Sequence, residues 1–185
     1  MFSLVKSPVV NDMTDSVQQF DVMVCFGTRP EVIKLAPVIE ALSSSELSFV
    51  TVFTGQHDSL FDDVASLIPP PDARCDIMKA GQSPSDVMGR IMSEMPPYYN
   101  RFQPGIVVVQ GDTTTAAAVA LSAFYHGSPV GHVEAGLRTH DLTAPFPEEL
   151  NRQVTSKMAS LHFAPTAESK INLVKEGFSG KNIII

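Results

Sequence analysis

The sequence predicts an α/β fold, a parallel sheet with helices on both faces, and three observations predict it. Strand-like runs recur at fairly even spacing, helical patterns fill the intervals, and several runs are apolar on both faces, as strands covered from both sides must be. The runs are FDVMVCF (20–26), FVTVFT (49–54), CDIM (75–78), IVVVQ (106–110), PVGHVEA (129–135), LHFAP (161–165) and NIII (182–185).

The intervals justify themselves in turn. After the first run, Val32, Leu35, Ala36 and Ile39 fall at i, i+3, i+4 and i+7, one face of a helix. SPSDVMGRIMSEM (83–95) reads as a helix that Pro96 and Pro97 bend or end. TTAAAVALSAFYHG (114–127) is small and apolar nearly all round, which suits a buried helix stopping at Gly127. AESKINLVKEG (167–177) repeats the amphipathic pattern and also stops at a glycine. The closing NIII is an apolar run with no polar segment after it, and is read as a chain cut at a domain boundary rather than as an edge strand.

With 185 residues, 44% hydrophobic and 18% charged, and a mean hydropathy of +0.09, the chain can bury one core. A formal net charge of −7 argues against nucleic acid as a partner, which requires a basic face. Cys25 and Cys75 sit in apolar runs without metal-ligand spacing and read as core residues in a reducing compartment. No run reaches the roughly 18 apolar residues of a membrane span. Residues 1–19 are too polar for a signal peptide and read as a loosely ordered extension. The expected location is the cytoplasm, with no membrane partner.

In an open parallel sheet, ligands bind beyond the carboxyl ends of the strands. GTRPE follows the first run. There Thr28 and Glu31 form a T-x-x-E capping box with Pro30 in the first turn, which leaves Arg29 and Lys34 unexplained. Gly27 and the free amides of a helix start favour an anion, to which an arginine adds a bidentate donor. Asp112 follows the fourth run as a candidate cap. HVEAGLRTHD brings His132, Glu134, Arg138 and Asp141 to the same edge, and FPEELNRQ adds Glu148, Glu149, Asn151 and Arg152. Asp112, Glu134 and Glu148 in one cleft would crowd like charges, raising the affinity of one carboxyl for its proton and setting an acid beside a base. Neither a P-loop nor G-x-S-x-G nor G-x-G-x-x-G is present, and no metal-ligand spacing is found.

Five motifs, FGTRPEVIKLAPVI, TGQH, QGDTTTAAA, VGHVEAGLRT and PFPEELNR, followed by LHFAPT, resemble the non-hydrolysing UDP-N-acetylglucosamine 2-epimerases in order and spacing across residues 20–185. The resemblance implies a Rossmann-like domain over 20–185, the N-terminal half of a GT-B-like two-domain fold, preceded by the extension 1–19, with the C-terminal UDP-binding domain absent. It implies interconversion of UDP-GlcNAc and UDP-ManNAc by elimination and re-addition of UDP, with neither metal nor redox cofactor, in the supply of amino-sugar nucleotides for surface polysaccharide. By the same resemblance Asp112, Glu134 and Glu148 are the catalytic carboxylates, and Arg29, Lys34, Arg138 and Arg152 the substrate-binding cations. Its expected partners are UDP-GlcNAc and UDP, the missing domain and a second copy in a homodimer. Gln56 and His57 match part of an allosteric UDP-GlcNAc site, but Gly81 stands where bacterial members place an arginine, so that site is expected to be rebuilt or absent. Two alternatives stay open: half of a GT-B glycosyltransferase, and a truncated module that binds UDP-sugars or partners without catalysis. The 185-residue chain is expected to be inactive alone.

Overall fold

The structure, a computed structural model, describes residues 17–55, 64, 66–75, 77 and 81–185. Gln56, His57 and the greater part of the N-terminal extension lie outside the described residues. Of that extension, Gln18 donates its amide to the Arg101 carbonyl at 2.9 Å.

Seven strands form one sheet: β1 (Val22–Phe26), β2 (Phe49–Phe53), β3 (Ala73–Arg74), β4 (Ile106–Gln110), β5 (Val130–Val133), β6 (Leu161–Phe163) and β7 (Ile183–Ile184). Their order is β3-β2-β1-β4-β5-β6-β7, and every neighbouring pair is parallel. Parallel neighbours need crossovers, supplied by helices α1 (Arg29–Ser43), α2 (Pro84–Glu94), α3 (Pro96–Phe102), α4 (Thr114–His126), α5 (Glu148–Met158) and α6 (Ala167–Lys175).

Side chains of the central strands alternate between two cores, as the pleat requires. Met23 and Cys25 of β1, Val107 and Val109 of β4, and Val50 and Val52 of β2 join α2, α3 and α4 on one face. Val22, Val24 and Phe26, with Val108 and Phe53, meet Val32, Leu35 and Ile39 of α1 on the other. Both cysteines are buried in the first of these cores.

One expectation is corrected. The third strand is Ala73–Arg74, just ahead of the CDIM run, since these two residues pair with β2 and Cys75 adds one amide bond to the Phe53 carbonyl at 2.7 Å; Asp76 and Met78 of that run lie outside the described residues. The helix in 83–95 ends at Glu94, just ahead of Pro96 and Pro97 as expected, and the two prolines also open α3, in a first turn where a missing N–H costs nothing. The final run is a two-residue strand at the edge of the sheet.

Strand order reverses between β1 and β4, so their following loops diverge to opposite faces and leave a crevice at their carboxyl ends.

Candidate active site at the switch point of the sheet

The crevice is walled by the loop after β1, the turn after β4, the loop after β5 and the start of α5. Gly27 leaves β1 with almost no room: a Cβ there would lie 2.7 Å from Thr54 Oγ1. At Gly111 the chain turns with φ of 75°, a left-handed conformation that glycine adopts without strain. Asp112 then occupies the turn, and Thr113 caps α4 by accepting the Ala116 amide at 3.0 Å.

Charge converges on this rim. Lys34 of α1 forms an ion pair with Glu134 Oε1, and the other Glu134 oxygen accepts from Gln110 Nε2 at 2.5 Å. Arg152 Nη2 lies 2.7 Å from Asp112 Oδ2. Burial pushes the Asp112 carboxyl above its ordinary range; Arg152 opposes this, and the nearby charges of Glu134 and Glu148 add to it. Asp112, Glu134, Glu148, Lys34 and Arg152 are therefore brought together, as the sequence leads one to expect. Arg29 is the exposed first residue of α1 on the same loop. Glu134 itself has φ of 67°. A non-glycine residue in the left-handed region stores strain of about 1–3 kcal/mol, a cost that concentrates at functional positions.

Arg138 is not brought to the rim. Its side chain is fully buried, and its guanidinium donates to both Glu176 oxygens at 2.6 and 2.9 Å and to Ser156 Oγ at 3.0 Å. That bidentate pair commits it to the end of α6. His132 is likewise interior, within β5, and Asp141 faces solvent, accepting from the Thr143 amide and hydroxyl at 2.9 and 2.6 Å.

Sequence reasoning leaves out Gln110 and does not show what Glu31, Glu149 and Asn151 bind. Gln110 ends an apolar run and is buried against Glu134; a polar residue closing such a run is the signal. Glu31 does more than cap α1, since its Oε1 accepts from Thr113 Oγ1 at 2.6 Å. Of the two carboxylates opening α5, Glu149 is the buried one, accepting from the Thr139 and His140 amides at 3.0 and 3.2 Å and from Gln153 at 2.8 Å. Asn151 donates to the Asp112 carbonyl at 2.9 Å. Among the described residues, no group of three or more His, Cys, Asp or Glu side chains is arranged to hold a metal ion, and no helix is long and apolar enough to cross a membrane.

Burial pushes the His132 imidazole down to about 4. The unfolded chain, with a histidine pKa of about 6.5, takes up this proton before the folded one does. Stability is therefore fully present above about pH 6.5 and is lost as pH falls toward 4, by about 2 kcal/mol between pH 7 and pH 5. His162, also lowered by burial and by Arg138, acts in the same direction. Asp112 and Glu31, both raised chiefly by burial, act oppositely but only nearer the carboxylate range. Urea titrations across this window are expected to show the loss, with a shallower slope in His132→Gln.

Comparison with known proteins shows which family the chain belongs to. The family model described as UDP-N-acetylglucosamine 2-epimerase matches residues 40–185. The chain belongs to this epimerase family. A UDP-N-acetylglucosamine 2-epimerase of Yersinia pestis is 46% identical over 167 residues, 89% of this chain and 44% of the relative. That of Escherichia coli strain K12 is 45% identical over 166 residues, again 89% of this chain and 44% of the relative. The chain thus spans about 44% of the length of these curated relatives. Among solved structures, the Neisseria meningitidis UDP-GlcNAc 2-epimerase bound to UDP-GlcNAc superposes with a TM-score of 0.86 at 42% identity, covering 91% of this chain and 45% of that one. The Methanocaldococcus jannaschii enzyme, in complex with UDP-GlcNAc and UDP, gives 0.81 at 35% identity over 91% of this chain and 46% of that one. A lipopolysaccharide outer core galactosyltransferase, 10% identical with a TM-score of 0.62, shares the fold alone. For the epimerase family, then, this chain supplies a Rossmann-like half of the GT-B type.

Proposed function

We propose that the chain is the N-terminal half of a cytoplasmic UDP-GlcNAc 2-epimerase, interconverting UDP-GlcNAc and UDP-ManNAc by elimination and re-addition of UDP. The observation that carries the reading is the convergence of three carboxylates with Lys34 and Arg152 at the switch point. Epimerisation at C2 needs one group to remove a proton and another to return it from the opposite face. In this proposal Glu134, the ion-paired carboxylate, takes the proton. Asp112, whose burial favours the protonated form, gives one back, and Glu148 orients the sugar between them. Departure of UDP places negative charge on the diphosphate, which Arg29, Arg152 and the amides opening α1 stabilise. A C-terminal domain supplies the opposite wall and the uridine contacts, and the assembly is a homodimer without metal or redox cofactor.

The test is reconstitution. The 185-residue chain alone is expected to show no epimerisation of UDP-GlcNAc, whereas fusion to the C-terminal half of the Yersinia pestis relative restores it. Turnover by the isolated chain, or a folded fusion that binds UDP without turnover, would overturn the reading.

A further inference from the structure

We infer that His132, Asn151 and Glu31 are positioning residues that clamp the Gly111–Asp112–Thr113 turn and so set where the Asp112 carboxyl meets the sugar. The inference rests on the reading of Asp112 as an acid–base group.

Each residue of the turn is held by a buried side chain from a different element. The Gly111 carbonyl accepts from His132 Nε2 of β5 at 2.8 Å; because a carbonyl can only accept, the imidazole carries its proton on Nε2. The Asp112 carbonyl accepts from Asn151 Nδ2 of α5 at 2.9 Å, and the same amide reaches Thr114 Oγ1 at 3.4 Å. Thr113 Oγ1 donates to Glu31 Oε1 of α1 at 2.6 Å, while Glu31 Oε2 takes the Gly27 and Thr28 amides at 2.6 and 2.8 Å. Glu31 thereby ties the loop bearing Arg29 to the turn bearing Asp112. Helix α5 holds Asp112 twice, its main chain through Asn151 and its carboxylate through Arg152.

The turn is already joined to the fold by other bonds. Thr113 already caps α4, and the Gly111 amide already reaches the Val133 carbonyl at 3.0 Å, which closes the β4–β5 ladder. Against that background His132 is costly. It is fully buried in a central strand, and its Nδ1 has no hydrogen-bond partner. Burying an imidazole with one nitrogen unsatisfied opposes folding, where a valine would pack without penalty. Such a group persists when what it holds matters more than the stability it forfeits. A displacement of about 1 Å in a reacting group costs about 10²-fold in rate, and three independent clamps on one turn prevent such a displacement.

Two variants separate a donor role from packing. His132→Phe keeps the ring but removes the N–H, whereas His132→Gln returns an N–H near the Nε2 position. In the fusion enzyme, His132→Phe and Asn151→Ala are expected to lower kcat about 10²-fold with KM within about threefold, and His132→Gln to stay within about fivefold of wild type. In the 185-residue chain, carbon-detected NMR follows the Asp112 carboxyl directly, whose charged neighbours are Arg152, Glu134 and Glu148. Its titration is expected to fall toward an ordinary carboxylate in His132→Phe and Asn151→Ala and to hold in His132→Gln. If His132→Phe does not fold, Asn151→Ala decides by the same two readouts. Unchanged kcat and unchanged titration overturn the inference, as does a His132→Gln as impaired as His132→Phe. A wild-type fusion that never epimerises, with the Asp112 titration still moving as described, overturns the functional reading and leaves the clamp standing.

Discussion

Glu134→Gln in the reconstituted enzyme is expected to lower kcat by about 10³-fold while leaving thermal stability nearly unchanged. The substitution keeps shape and backbone, and Gln110 can still hydrogen bond to the amide oxygen. What disappears is the capacity to take a proton. The ion pair to Lys34 joins side chains that are 48% and 24% exposed, so its loss costs little in solvent-screened surroundings. Glu134→Gly sharpens the contrast. Glycine relieves the φ of 67°, and this variant is expected to be about 1 kcal/mol more stable than wild type yet inactive. Chemical denaturation alongside turnover measures both; a destabilised glycine variant would show that Glu134 is there for the fold.

Arg152→Ala carries the second largest expected effect, a loss of about 10²–10³-fold in kcat/KM. Its guanidinium is 2.7 Å from Asp112 Oδ2, and in the proposed reaction it stabilises the charge that develops on the diphosphate. Removing it also removes the interaction that holds Asp112 down against burial and the charges of Glu134 and Glu148. The Asp112 carboxyl then keeps its proton to higher pH, and the pH–rate limb that reports this group moves upward. Arg152→Lys restores a charge without the planar fork, so it is expected to recover the limb but only part of the rate. A pH profile unchanged in Arg152→Ala would mean that Asp112 does not govern it.

Much of this architecture is legible in the sequence because buried parallel strands are apolar on both faces. The runs containing β1, β4 and β5 can be read directly, and they are the strands whose ends build the rim. Strand β3 is harder to see: two residues at the periphery of the sheet, Ala73 and Arg74, carry no hydrophobic signature. Helix α3 hides behind a proline pair that reads equally well as a stop or a start. In the site, charged residues that a helix start does not require, such as Arg29 and Lys34, stand out. Residues with an adequate local reason do not. Glu31 reads as a cap and Glu149 as a macrodipole partner, and only the packing of α1 and α5 against neighbouring loops reveals their second bonds. Arg138 fails in the opposite sense: an arginine beside the rim motif in sequence turns inward, because Glu176, far along the chain, waits there to pair with it.

In the proposed reaction this crevice moves the C2 hydrogen of a nucleotide sugar. The most direct measurement incubates the reconstituted enzyme with UDP-GlcNAc in deuterium oxide and follows the C2 position by proton NMR. The C2 signal is expected to be replaced by deuterium as UDP-ManNAc forms, and Glu134→Gln to slow this exchange as much as it slows turnover. Turnover of UDP-GlcNAc that leaves the C2 proton in place would contradict that reaction.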